Sequence, residues 1–148
     1  MAALVLWIAS AVGGQVAAAL ARASRDPARE LSLRRRLTPV VGLEHASFLV
    51  LLASGGLLMM HRGWRPDHAR WLALKLGLVV FLVLPLEAMH AYVAHVWIAR
   101  GLRQTPVPPF SKDLARGLGI EEMLCTLAVP LLGLGLPLLL WLSLAKPF

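Results

Sequence analysis

Four stretches of this chain, at about residues 4–21, 38–60, 71–99 and 120–144, are long, apolar and almost free of charge. Crossing about 30 Å of hydrocarbon takes roughly 20 helical residues at 1.5 Å each, so every one of them is long enough to span a bilayer. The rest of the chain is too short to form a separate soluble domain. Of its 148 residues, 58% are hydrophobic and 16% charged, and the mean hydropathy is +0.70. Soluble domains carry about 25% charged residues. The composition therefore excludes a soluble enzyme, a disordered chain and a secreted disulfide scaffold. A single cysteine, Cys125, excludes an internal disulfide and any cysteine-ligated zinc or iron–sulfur site.

The expected fold is all-α: an integral membrane bundle of four helices running up, down, up and down as one membrane domain, because short links make sequential helices antiparallel neighbours. The first stretch lacks the basic flank of a signal peptide, and Arg22 follows it directly, so it reads as a retained helix. Asp26-Pro27 marks a turn or a helix start, and Ser111 with Asp113 and Leu114 is placed to cap a turn leading into the fourth helix. Pro85, Pro130 and Pro137 fall within spans and can kink them. Ser10 and Gly14, with Ala9 and Gly13 alongside, offer a small-residue face on the first helix for close packing inside the bundle or against another subunit.

The formal charge of +7 is concentrated in the links. The first and third links carry ten basic residues: Arg22, Arg25, Arg29, Arg34, Arg35, Arg36, Arg100, Arg103, Lys112 and Arg116. The opposite side has four: Arg62, Arg65, Arg70 and Lys146. This bias puts both termini outside the cytoplasm and fits a multi-pass protein of a bacterial-type inner (cell) membrane. A nucleic-acid reader would need a basic face on a folded soluble domain, so no nucleic-acid partner is expected. The expected partners are the lipid bilayer and a second copy or a larger membrane complex. Trp7, Trp64, Trp71, Trp97 and Trp141 all lie near span ends or in a link, as an aromatic belt requires.

Buried ionisable residues carry the chemistry. Glu44, Glu87, Glu121 and Glu122, with His45, His90 and His95, lie within or at the edge of the spans. Ionisable groups at that depth are costly and point to function. His45 lies about 10 Å, and His90 about 13 Å, from the basic end of its helix, which brings the two imidazoles to one level. Glu87 and His90, three residues apart, share a helix face. Two imidazoles from facing helices are the axial pair of a low-spin haem b, with Glu44 and Glu87 as their hydrogen-bonding partners. The same set, with His45, His90 and His95 as donors, resembles the ligand inventory of a carboxylate-bridged transition-metal bundle. A third reading has these side chains merely tying helices together in a non-catalytic subunit. His95, Glu121 and Glu122 are candidates for a proton path to the cytoplasm. Lys75, near the outer end of the third span, can snorkel to the surface or serve as a buried counter-ion. His61 and His68 flank the outer link and read as solvated.

The run Trp71-Leu72-Ala73-Leu74-Lys75-Leu76, the terminal Lys146-Pro147-Phe148, Arg35-Arg36-Leu37 and Trp7 resemble the HemJ-type protoporphyrinogen IX oxidases and the related CopD-like membrane proteins. That resemblance implies haem b and oxidation of protoporphyrinogen IX, with electrons passed to the membrane chain, and it places Lys75 near the cofactor. The family's helix-one histidine has no counterpart, since the first histidine here is His45.

Overall fold

A computed structural model describes residues 2–23, 25–63 and 70–145. The described residues form four long helices and no strand: α1 (Ala2–Ala23), α2 (Pro27–Arg62), α3 (Arg70–Gln104) and α4 (Lys112–Ala145). Each is long and apolar enough to cross a membrane. Trp64, Arg65, Asp67, His68 and the terminal Lys146-Pro147-Phe148 lie outside the described residues.

All four helices reach further than the apolar stretches, α2 and α4 by the most. Helix α2 starts at Pro27, where Asp26 caps it by accepting the Ala28 N–H at 2.9 Å. Pro27 then suits the first turn, which needs no N–H there. Arg29 to Arg36 are thus helical rather than part of a link. Gly63 ends α2 with a left-handed φ of 62°, its N–H reaching the carbonyls of Met59 and Met60. Helix α4 starts at Lys112, with Ser111 Oγ accepting the Leu114 N–H at 3.2 Å. The α3–α4 link is clamped from α2, where Arg35 donates to the carbonyl oxygens of Thr105 at 2.8 Å and Pro106 at 3.2 Å.

Helix α3 is interrupted by two π segments, Val79–Val83 and Val93–Ile98. The first precedes Pro85, whose ring crowds the Phe81 carbonyl and whose missing N–H breaks the regular ladder; the Leu84 N–H bonds Val79 O, five residues back. Near the basic end α3 and α4 meet tightly. A Cβ on Gly101 would stand 2.8 Å from the Leu114 Cβ and 2.9 Å from its Cα, so only glycine fits.

The burial pattern differs from that of a soluble bundle in what it exposes and in the charges it buries. Phe81, Leu134 and Leu144 are more than three-quarters exposed, whereas Ser10, Arg34, Glu44, Ser47, Glu87, Thr105 and Glu121 are buried. Large apolar residues on the outside, around an interior in which polar groups are buried beside apolar ones such as Trp7, Leu31, Phe48 and Val93, are what a bilayer selects. The small-residue face of α1 is only half used: Ser10 is buried, but Gly13 and Gly14 leave open the space a Cβ would occupy, so no helix approaches closely there.

Candidate functional site

Glu44 and His45 are consecutive on α2 and so point about 100° apart. Helix α3 lies where both can reach it, and Glu87 and His90, one turn apart, receive them in a crossed pattern. His45 Nδ1 lies 3.2 Å from Glu87 Oε2, and His90 Nδ1 lies 3.4 Å from Glu44 Oε1. Glu44 and Glu87 are buried, and both imidazoles are nearly so. One donor atom from each of the four residues lies within 4.8 Å of every other. With Nδ1 of each histidine turned to a carboxylate, Nε2 of both His45 and His90 is buried without a hydrogen-bond partner among the described residues.

Helix α1 adds a member that the sequence did not disclose. Trp7 is buried, lies 5.5 Å from the Phe48 ring, and donates from Nε1 to Glu87 Oε1 at 2.7 Å. Its place near a span end fitted an aromatic belt equally well, so Trp7 is a correction to that expectation. Trp141 is half exposed, as a belt residue is, while Trp97 stacks under the Arg116 guanidinium at 5.0 Å.

The imidazoles of His45 and His90 meet edge to face with centroids 5.2 Å apart. An iron between two axial imidazoles holds ring centroids about 6 Å apart in a nearly linear array, with a porphyrin plane between them. These two rings touch, and no porphyrin fits between them in this arrangement. His95 also packs against His45, with ring centroids 5.2 Å apart, but it is exposed and outside the quartet. Glu44 and Glu87, rather than His95, complete the set of close donors.

The remaining expected site residues divide. Glu121 is buried and ion-pairs with Arg34, whose Nε also lies 3.9 Å from Glu30. Glu122 is exposed: the roughly 100° step from Glu121 turns its side chain away from the bundle. It therefore drops out of the expected proton path. Lys75 precedes Glu87 by three turns, about 18 Å along the helix, and lines neither of the cavities described next.

Two cavities adjoin the quartet. A small one of about 40 Å³ is walled by Arg34, Glu44, His90, His95 and Glu121, and leads from the quartet toward the basic end. It is large enough for water, and Arg34 keeps Nε and Nη2 without a hydrogen-bond partner among the described residues. The other is an apolar cleft of about 660 Å³ between α1 and α4, with Glu44, Glu87 and His90 in its wall. His45 does not line this cleft. No protein-family model matches the chain, and no curated protein or solved structure is significantly similar to it.

Proposed function

We propose that this is a multi-pass membrane protein that holds one divalent first-row transition-metal ion between α2 and α3, and that its chemistry is centred there. Glu44, His45, Glu87 and His90 are the holding residues. The observation that carries this reading is a quartet in which one donor atom from each residue lies within 4.8 Å of the others, on two imidazoles whose buried Nε2 atoms have no partner among the described residues. Orphaned buried nitrogens are costly, and an ion satisfies both at once. Carboxylates on Nδ1 are the usual means of fixing a metal-binding imidazole's tautomer and orientation. Tetrahedral bonds of about 2 Å put ligand atoms about 3.3 Å apart, so the quartet needs to contract by only an ångström or so. Two carboxylates, two neutral imidazoles and a dication sum to zero charge, which a low-dielectric span tolerates. Imidazole and carboxylate donors suit iron, manganese, zinc or copper(II). Such an ion supplies Lewis-acid or one-electron chemistry, and the chain positions it and keeps bulk water away.

The arginine-rich links support an up-down-up-down course with both termini outside the cytoplasm of a bacterial-type membrane, and hence a metal centre in the cytoplasmic half. The cleft supports a second reading, a HemJ-like haem b protein of porphyrin oxidation or electron transfer. A volume of about 660 Å³ falls within the range of cofactor pockets. His90 alone would then supply the imidazole ligand, with the basic links neutralising propionates.

Elemental analysis and absorbance of protein purified in mild detergent separate the two. The metal reading expects about one ion per chain that survives dialysis, no Soret band, and loss of at least ten-fold in occupancy in His90→Ala. Metal at background level in the intact protein removes it. A Soret band that depends on His90 establishes haem in its place.

A further inference from the structure

The cleft between α1 and α4 is mostly apolar, and its polar lining is Gln15, Glu44, Glu87, His90 and Cys125. Val12 and Val16 form one wall, Val129 and Leu132 the other, and Glu44, Glu87 and His90 stand in the wall behind them. It is not sealed: Val12, Val16 and Val129 remain 57%, 54% and 71% exposed. These residues lie in the middle of long apolar helices, so the open side faces lipid and not water. A molecule that enters must already be dissolved in the bilayer, and the part that reaches the quartet must hydrogen-bond.

The polar wall narrows the chemistry of that part. Glu44 and Glu87 are acceptors, and a carboxylate or phosphate head beside them would bring like charges together at low dielectric. A cationic head would upset the neutrality of a quartet that holds a dication. A neutral hydroxyl meets both demands, donating to a carboxylate oxygen and offering its own lone pairs to the centre. An acyl chain alone satisfies none of the polar groups.

We propose that this cleft binds a neutral, lipid-soluble alcohol or phenol, with its hydroxyl at Glu44, Glu87 and His90 and its apolar body between α1 and α4. The identity of the head's partner rests on the metal reading above, whereas the cleft and its lipid-facing mouth do not. The site therefore draws its substrate from the membrane.

Photo-crosslinking in lipid nanodiscs tests this, with a long-chain alkylphenol carrying a diazirine in its tail as probe and peptide mapping as readout. Labelling is expected at Val12, Val16, Val129 and Leu132, at least ten-fold above labelling at the lipid-facing Phe81 and Leu134. An excess of unlabelled alkylphenol or linear alcohol should suppress it, and the stronger competitor identifies the source; an alkane of equal length should not. Ala128→Trp fills the cleft and should abolish the labelling, with Val12→Trp as an independent block from the opposite wall and helical circular dichroism as the folding control. Equal labelling of cleft and outer surface, or equal competition by the alkane, overturns the proposal in favour of an acyl chain only. Metal content is measured on the same samples. A labelled cleft without metal sinks the metal reading and leaves this one standing, whereas metal-loaded protein with an unlabelled cleft does the reverse.

Discussion

Among the residues, the quartet was the most legible from sequence and its partners the least. Glu44, His45, Glu87 and His90 stand out because ionisable side chains are rare in apolar spans. Their shared depth follows from counting residues. What counting cannot give is the rotation of each helix about its axis, and that rotation decides that Glu121 turns inward while Glu122 turns out. It also decides that Trp7 bonds to Glu87. Arg34 was hidden for another reason, since six arginines in one link all look like topology signals until one of them is buried against Glu121. This pair supports a prediction. Removing one partner of a buried pair leaves a lone charge and costs about 3–5 kcal/mol, whereas replacing both with apolar groups is often neutral. Arg34→Met alone should destabilise the protein by several kcal/mol in denaturant titrations in detergent, and adding Glu121→Leu should restore most of the loss. A double variant no more stable than Arg34→Met would mean that the two side chains are not energetically coupled.

At the level of the helices, hydropathy located all four but misplaced their ends. It marks where the chain crosses hydrocarbon, and helices need not stop there. The second apolar stretch begins near residue 38, yet α2 begins at Pro27 because Asp26 caps it; the fourth begins near residue 120, yet α4 begins at Lys112 because Ser111 caps it. Both caps were readable as local signals once the apolar run ceased to be the only guide. The close approach of α3 and α4 was not readable, since Gly101 gives no sign that Leu114 lies against it. Gly101→Ala would drive a methyl against both the Cβ and the backbone of Leu114. Overpacking of this kind costs about 1–3 kcal/mol. A lowered thermal midpoint should follow, with the adjoining Arg35 clamp on Thr105 and Pro106 loosened and its link more open to proteolysis. An unchanged midpoint would show that the helices separate there without cost.

Taken as a whole, the molecule is a lipid-soluble exterior wrapped around a few costly polar contacts. Arg34 with Glu121 joins α2 to α4, Trp7 with Glu87 joins α1 to α3, and the crossed histidine–glutamate pairs join α2 to α3. Each contact ties a different pair of helices, so together they hold the bundle in register where lipid gives little drive for helices to associate. Locking the bundle requires only that the polar groups find partners, yet among the described residues Nε2 of His45 and of His90, like Nε and Nη2 of Arg34, have none. That surplus sets a binding site apart from a structural knot. X-ray absorption at the edge of the bound metal tests this claim most directly. The account predicts four to six nitrogen and oxygen ligands at about 2 Å, with the outer-shell scattering of two imidazoles and no sulfur, and one imidazole fewer in His45→Ala. A porphyrin scattering pattern, a sulfur ligand, or a spectrum unchanged in His45→Ala would contradict it.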